Sequence, residues 1–541
     1  MKNSNIGSQP EKNDGTRNQD RQFASAFQYK LFRALWVATM LASIATWMQN
    51  VGAGWVMLTL TPSPFMVALV QTAVTLPAFI LGLPAGVMSD LINRQQLLLW
   101  THAGMFLATG ALAAVSHLGL LGPWTLLFLT FTIGCCCAVA ITARQVSISD
   151  VVPRTALLHA LALNSIAYNG ARAVGPALAG ILLAWLGSTA VFLATASIFA
   201  IVVAIQFRID TPQPRNTATS ERAFDAMLTG MRYVWHAPVL HAYFLRAILF
   251  MVCASSLWAL LPVVSHDRMG FGASGYGLLL GAMGAGAVVF GAMLEPLRRR
   301  FSLDVLATAS GLVFAAAILI SGLSSNTVIV CISLFAGGGA WVINNSIITA
   351  AVQTVLPAWV RARAISIYML VFQGSMAFGG ALWGAVASHL NLSATLILAG
   401  IMTLCGVLYA RRYPLQLGNE ADVTPSMHWV EPALWSEPAP DDGPVAVQSV
   451  YRVRPEAREE FIHAIHALGI TRKRDGASHW QLYRDLADPE IYVERFVVHS
   501  WAEHLRQQTR ATMTDCISEE IIRKLHSGDQ PIRTSHFIAQ K

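Results

Sequence analysis

The sequence predicts an all-α membrane fold, twelve transmembrane helices in two six-helix bundles, followed by a small α+β domain at the C-terminus. Three observations predict it. Hydrophobic residues fill 54% of the 541 positions and charged residues only 12%, about half the charged share of a soluble domain. The apolar residues gather into long stretches between Leu31 and Leu408, with polar sequence on either side. Basic residues fall almost wholly on alternate connections between those stretches, the pattern that cytoplasmic loops carry.

Residues 1–30 are polar and read as a disordered cytoplasmic tail; Met1 to Gln22 contain no apolar h-region, so no cleavable signal is expected. A bilayer core takes about 20 apolar residues per helix. The first bundle, 31–207, supplies spans at 31–57, 65–88, 96–116, 122–143, 157–186 and 189–207. The second, 240–412, supplies 240–263, 274–294, 303–323, 327–350, 362–389 and 392–410. Between them runs a cytoplasmic linker, 208–239, in which Glu221–His236 reads as a short amphipathic helix on the membrane surface. With the N-terminus inside, 20 of the 23 basic residues before Tyr413 lie on the inner side, Arg268 lies outside, and Arg172 and Arg246 fall within spans. An error of one span would scramble this segregation. The expected location is therefore the cell (inner) membrane, multi-pass, with both termini cytoplasmic. The net charge of +7 sets topology and predicts no nucleic-acid partner. The seven cysteines show no metal or redox spacing, and no metal, cofactor or catalytic residue is expected.

The halves repeat. Gly86-Val-Met-Ser-Asp90 with Arg94 corresponds to Gly291-Ala-Met-Leu-Glu295 with Arg299, 205 residues on. Pro153, Gly175 and Gly180 correspond to Pro357, Gly379 and Gly384, each 204 residues on. Two parallel six-helix repeats are a transporter architecture with the substrate site between them near the midplane.

On these motifs residues 30–412 resemble the major facilitator superfamily. The family's loop after the second helix reads Gly-x-x-x-Asp-(Arg/Lys)-x-Gly-(Arg/Lys)-(Arg/Lys); here Gly86, Asp90 and Arg94 match while Leu91, Asn93 and Gln95 depart. The resemblance implies a conformational latch formed by Gly86, Asp90 and Arg94, with Gly291, Glu295 and Arg299 as the second copy. A small residue allows close helix approach, and an acid at a helix end can meet a facing helix N-terminus. Gly175-Pro176-Ala-Leu-Ala179-Gly180 is similar to the kinked fifth-helix signature of the family's exporters, with Ala179 in place of one Gly. Trp47-Met-Gln-Asn50, Thr61-Pro-Ser-Pro64, Val152-Pro-Arg154 and Ala171–Pro176 look like the enterobactin-exporter branch, the transmembrane secretion effectors. That narrower likeness implies siderophore or drug efflux.

The acids between Leu31 and Arg412 all lie at loops or span ends, so no carboxylate inside the bundles marks an ion path; a proton is the candidate coupling ion. His102 is a titratable group on the third span. Polar residues at membrane depth include Gln49, Gln71, Asn344 and Gln373, with Asn50, Asn164, Asn169 and Asn345 the candidates for lining a cavity. Arg172 stands fifteen residues beyond Leu157, about 22 Å along the helix. Burying it costs about 2.5–3.5 kcal/mol on insertion scales, so it needs a partner: backbone carbonyls near the kink, or an anionic or catechol-like oxygen of the substrate. Arg246 lies close enough to its helix start to snorkel.

A linker rich in Pro and acids, 413–443, precedes the last domain, 444–541. There Val445–Val453 reads as a strand, Pro455–Leu468 as a helix, Ser478–Leu486 and Ile491–Val498 as strands, Ser500–Leu525 as a broken helix and Arg533–Ala539 as a strand. The order β-α-β-β-α-β is a ferredoxin-like split βαβ unit. It resembles the antibiotic-biosynthesis monooxygenase domains, which implies pairing as dimers through the sheets; His463, His466, His479, Trp480, His499 and Trp501 are the suggestive side chains. The expected activity is secondary transport of a small amphipathic molecule by alternating access, since no Walker-type loop is present to support ATP drive. The alternative is a membrane-tethered enzyme or sensor working through residues 444–541.

Overall fold

The computed structural model describes residues 27–153, 156–208, 220–415, 438–528 and 530–540, with 424, 426 and 436 as single positions. The polar tail, residues 209–219 of the first linker and most of the second lie outside the described residues, as do the side chains of Val87, Asp90, Leu91, 145–151, 157, 158, 161, 162, 165, 166, 220–227 and Gln508.

The first half contains α1 (Lys30–Leu60), α2 (Pro64–Leu91), α3 (Arg94–His117), α4 (Pro123–Val151) and α5 (Leu157–Phe207). Then come α6 (Ser220–Trp235), α7 (Pro238–Val263), a π-turn (Val264–Arg268), α8 (Ala273–Ala292) and α9 (Leu294–Arg300). The membrane part ends with α10 (Leu303–Leu323), α11 (Thr327–Thr354), α12 (Ala358–His389) and α13 (Leu392–Ala410). Each start has a local reason. Pro64, Pro123 and Pro238 open α2, α4 and α7 from the first turn, where proline's fixed φ fits and its missing N–H costs nothing. Asn93, Ser302, Asn326 and Asn391 accept backbone N–H groups at the starts of α3, α10, α11 and α13. Asn93, which departs from the family's loop pattern, is thus the cap that starts α3.

Eleven of these helices are long and apolar enough to cross a bilayer, one fewer than the spans expected. The difference lies in α5. Its 51 residues would reach about 77 Å as one rod, more than twice a hydrocarbon core. Gly187 interrupts it with φ 79° and ψ −177°, a conformation open to glycine and strained for other residues. The break falls between the expected fifth and sixth spans.

The repeat is visible in what each glycine touches. A β-carbon on Gly175 would lie 2.6 Å from the Trp47 β-carbon of α1, while one on its counterpart Gly379 would run into Ser255 and Val252 of α7. On Gly180 it would lie 2.9 Å from the Gly277 Cα of α8, while one on Gly384 would run into Ala68 of α2. Thus α5 meets α1 and α8 as α12 meets α7 and α2. Gly284 continues the α5–α8 contact, since a β-carbon there would lie 2.9 Å from the Ala173 Cα, and the Thr72 hydroxyl donates to the Ala377 carbonyl at 3.0 Å across α2 and α12. These contacts join the bundles through the middle and the end away from the chain's termini. Towards the termini, a β-carbon on Gly86 would meet nothing within 4 Å. One turn earlier, a β-carbon on Gly82 would still meet Leu370 of α12 at 3.5 Å, so open space begins beside Gly86.

Beyond α13, a four-stranded antiparallel sheet has the order β2-β3-β1-β4, from β1 (Val445–Arg452), β2 (Ser478–Arg484), β3 (Ile491–Val498) and β4 (Arg533–Ile538). Val445, Val447 and Tyr451 of β1 point to the buried face with Tyr492, Phe496 and Val498 of β3. Over that face lie α14 (Arg458–Asp475), α15 (Trp501–Arg510) and α16 (Met513–Leu525). The expected broken helix divides at Ala511–Thr512, where Thr512 and Asp515 form a reciprocal capping box.

Candidate functional site

The centre of the molecule is built around Arg172. Gly175 brings α5 against α1, and this seats Trp47 beside the arginine one turn earlier. The guanidinium carbon lies 5.6 Å from the Trp47 ring centroid and 5.0 Å from that of Trp258, which α7 supplies from the other bundle. The two indoles stand 6.2 Å apart. From Trp258 the aromatic run continues to Trp341 of α11 at 5.4 Å and on to Phe372 of α12 at 6.1 Å.

Arg172 is 9% exposed, and among the described residues it has neither an ion pair nor a hydrogen bond. Two desolvated ring faces at about 2 kcal/mol each offset an insertion cost of about 2.5–3.5 kcal/mol. They stabilise the charge and leave its five N–H donors uncommitted. The kink carbonyls expected as an alternative partner do not hold it. Arg246 does not snorkel: it is buried, pairs with Asp304 at the start of α10, and donates to the Tyr413 carbonyl at 3.1 Å.

Helical spacing arranges polar groups around the arginine. Asn169 and Asn164 stand one and two turns before it on α5, with Tyr168, 43% exposed, beside them. Asn50 is one turn from Trp47, and Asn345 one turn from Trp341, with its side-chain oxygen unpaired among the described residues. Asn344 instead ties α11 to α10 by donating to the Ala307 carbonyl at 3.1 Å. His102 is buried within the first bundle, bonded to the Leu98 carbonyl and 6.4 Å from the Phe199 ring. Trp258, Trp341, Phe372 and Tyr168 were not singled out by the sequence, because aromatic residues of a packed interior and of a lipid-facing surface share one composition.

At the loops, Arg94 reaches back to the Ser89 carbonyl at 3.3 Å. Glu295 and Arg299 pair at 3.3 Å one turn apart on α9, both well exposed, and a β-carbon on Gly291 would lie 3.5 Å from the Val342 side chain. The side chain of Asp90 lies outside the described residues. In the C-terminal unit, His463, His466, His479 and His499 are exposed. The sheet interior is organised instead around Glu494, fully buried, which accepts from Tyr451 and Trp480 at 2.9 Å each. Arg472 stands 3.6 Å from Glu494 and pairs with Glu519 at 2.8 Å. Trp501 packs against buried His504, whose ring lies 4.7 Å from that of His536. Burial holds His504 down to about 4, with His536 adding to the effect. Among the described residues no three His, Cys, Asp or Glu side chains gather as a metal site.

The two-bundle helical architecture defines a multi-pass membrane transporter of the major facilitator type, and solved transporters share it. A bacterial homologue of the human lysosomal transporter Spinster, in an inward-facing unoccupied conformation, superposes with TM-score 0.56 at 15% identity, over 71% of this chain and 95% of that one. The nucleoside transporter NupG gives 0.58 at 13% identity, over 71% and 99%. The sequence profile of the transmembrane secretion effector family matches residues 22–541, and the chain belongs to that family. It is similar to the staphyloferrin A transporter of Staphylococcus aureus, 22% identical over 68% of this chain and 92% of that protein. It is similar also to the multidrug efflux pump Tap of Mycolicibacterium fortuitum, 23% identical over 69% and 93%.

Proposed function

We propose that this protein exports a small amphipathic molecule, rich in acceptor oxygens and siderophore- or drug-like, from the cytoplasm by alternating access. The observation that carries the reading is Arg172, buried between a tryptophan of each bundle with its N–H donors uncommitted. A planar guanidinium bonds carboxylate, hydroxamate or catecholate oxygens two at a time, while the surrounding indoles suit an apolar or aromatic body. Relatives that carry staphyloferrin A and drugs support the same class.

In this reading α5 supplies two spans, divided at Gly187, which makes twelve. Both termini and residues 444–541 stand in the cytoplasm at the inner membrane. The open space beside Gly86 fits an inward-facing state. Asn50, Asn164, Asn169 and Asn345 line the cavity, the Gly175-Pro176 kink with Gly180 sets the inter-bundle seam, and the Gly86–Arg94 and Gly291–Arg299 loops form the latch of the opposite state. The strand order β2-β3-β1-β4 fits a ferredoxin-like unit.

The test is efflux by wild type and by Arg172→Gln and Arg172→Lys proteins at matched membrane levels. A triscatecholate, a carboxylate siderophore and a cationic dye serve as substrates. Loss of oxyanion export in both variants is expected; normal export of all three by both removes Arg172 as the anchor.

A further inference from the structure

The amphipathic helix α6 does not lie alone on a membrane surface. Its Gly230 is pressed against the first turns of α12, where a β-carbon would come within 2.8 Å of that of Arg363. Tyr233 meets the Trp359 ring of α12 edge-on at 5.5 Å. On its other side α6 meets the C-terminal unit. Arg232 pairs with Glu503 of α15 at 3.1 Å, and the same carboxylate oxygen takes Arg510 at 2.7 Å. Arg510 stacks on Trp359 at 4.6 Å and donates to the Asp475 carbonyl at 3.0 Å. Arg474, held by Asp475 and Asp515, covers the Tyr233 ring at 5.3 Å. Gly476 leaves no room for a side chain between Glu503 and Arg232. This seam is shaped and charge-matched, and most of its groups are buried: Tyr233, Asp475, Arg510 and Asp515 are each at most 8% exposed.

The helix α6 also touches α2, the helix of the opposite bundle that carries Gly86. The unit formed by α6, the start of α12 and the C-terminal sheet therefore bridges α2 and α12 beside the open space at Gly86. For that side to close, the ends of α2 and α12 must come together across the place α6 occupies.

We propose that the C-terminal α+β unit is a conformational brake: by gripping α6 through Arg232–Glu503–Arg510 and the Tyr233–Arg474 and Trp359–Arg510 stacks, it holds the bundle ends apart and slows closure on that side. Release of the seam lets α6 swing clear, so an event in the soluble unit reaches the transport cycle without touching the central site. The inference rests on rocking of the bundles and on no particular substrate.

The test needs no substrate either. Spin labels replace Ile92 at the end of α2 and Ala362 on α12, both exposed, in the full-length chain with its native cysteines substituted and the protein in liposomes. Distance distributions are compared for wild type, Arg232→Glu and Glu503→Gln, which lie on opposite sides of the seam, with Lys524→Ala as a control far from it. The expected result is a dominant long distance in wild type and control, and a several-fold larger short-distance population in both seam variants. Two populations in wild type, unchanged by either variant, would leave rocking intact and overturn the brake. A single unchanging distance in every protein overturns both.

Discussion

Arg172 sets the problem that its surroundings solve in part. Its charge is met by indole faces and its donors by nothing in the described protein, so the energy still available lies in hydrogen bonds to a ligand. A charge-assisted hydrogen bond contributes about 1.5–3 kcal/mol, roughly tenfold to a hundredfold in affinity. Arg172→Gln is expected to weaken binding of an oxyanion substrate by that factor in equilibrium binding to purified protein, and Arg172→Lys by less. The residue was legible in the sequence because an arginine so deep in an apolar span is costly anywhere. Its partner from the other bundle was not, because Trp258 reaches it only through the packing of α7 against α5 and α1. His504 makes a separate prediction. Its ring is buried and held near 4, against about 6.5 in an unfolded chain. A histidine with a depressed folded value contributes its full stability above pH 6.5 and loses it as pH falls through 6.5 towards 4. The loss amounts to about 3 kcal/mol. Protection factors for hydrogen exchange at the β1–β3 amides of the full-length protein, corrected for the intrinsic pH dependence of exchange, should fall across that window, and His504→Phe should flatten the dependence.

At the scale of single elements, α5 shows where pattern reading works and where it stops. The apolar length from Leu157 to Phe207 reads as two spans, and Gly187, with its non-helical φ and ψ, divides the two helical stretches. Gly175 and Gly180 were legible as small residues at a kink, but their partners were not, since a contact between α5 and α8 depends on how two distant segments fold back. The packing makes Gly180 testable. A leucine there must separate α5 from α8, whose backbones touch at Gly277, and overpacking of this kind costs about 1–3 kcal/mol. Gly180→Leu is expected to abolish export at an unchanged membrane level and to expose the end of the bundles away from the termini. Faster alkylation of a cysteine replacing Ser274 is the readout; unchanged alkylation with normal export would contradict the seam. The Gly86–Arg94 and Gly291–Arg299 loops were legible as a repeat, whereas Glu295 and Arg299 meet on one exposed helix turn, a pair worth about 0.3–0.5 kcal/mol.

For the whole molecule, the repeat at offsets of 204 and 205 carried most of the architecture. Chemically equivalent glycines at equivalent heights predict equivalent contacts, and α5 and α12 make them. The sheet was legible from its period-2 runs, with ends off by one or two residues at Val453, Leu486 and Ala539. What the sequence could not show is the seam between α6 and α15, because Arg232 and Glu503 stand 271 residues apart and surface charges have no periodicity to read. The buried core of the C-terminal unit, built on Phe461, Ile465, Tyr492 and Phe496, is its own. A fragment starting at Gly443 is therefore expected to be soluble and to give a mixed α/β circular dichroism spectrum; an insoluble or unstructured fragment would place the domain boundary elsewhere.

The tryptophans at the centre have one more use. Indoles 6.2 Å and 5.4 Å apart share their electronic transitions, and Trp47 and Trp258 ride on different bundles. Any movement that separates or rotates them alters the near-ultraviolet optical activity of the pair. Of the 15 tryptophans, these are positioned to turn the bundles' relative motion into a spectrum, without a dye, a label or a known cargo; subtracting the spectrum of a Trp258→Phe protein isolates their signal.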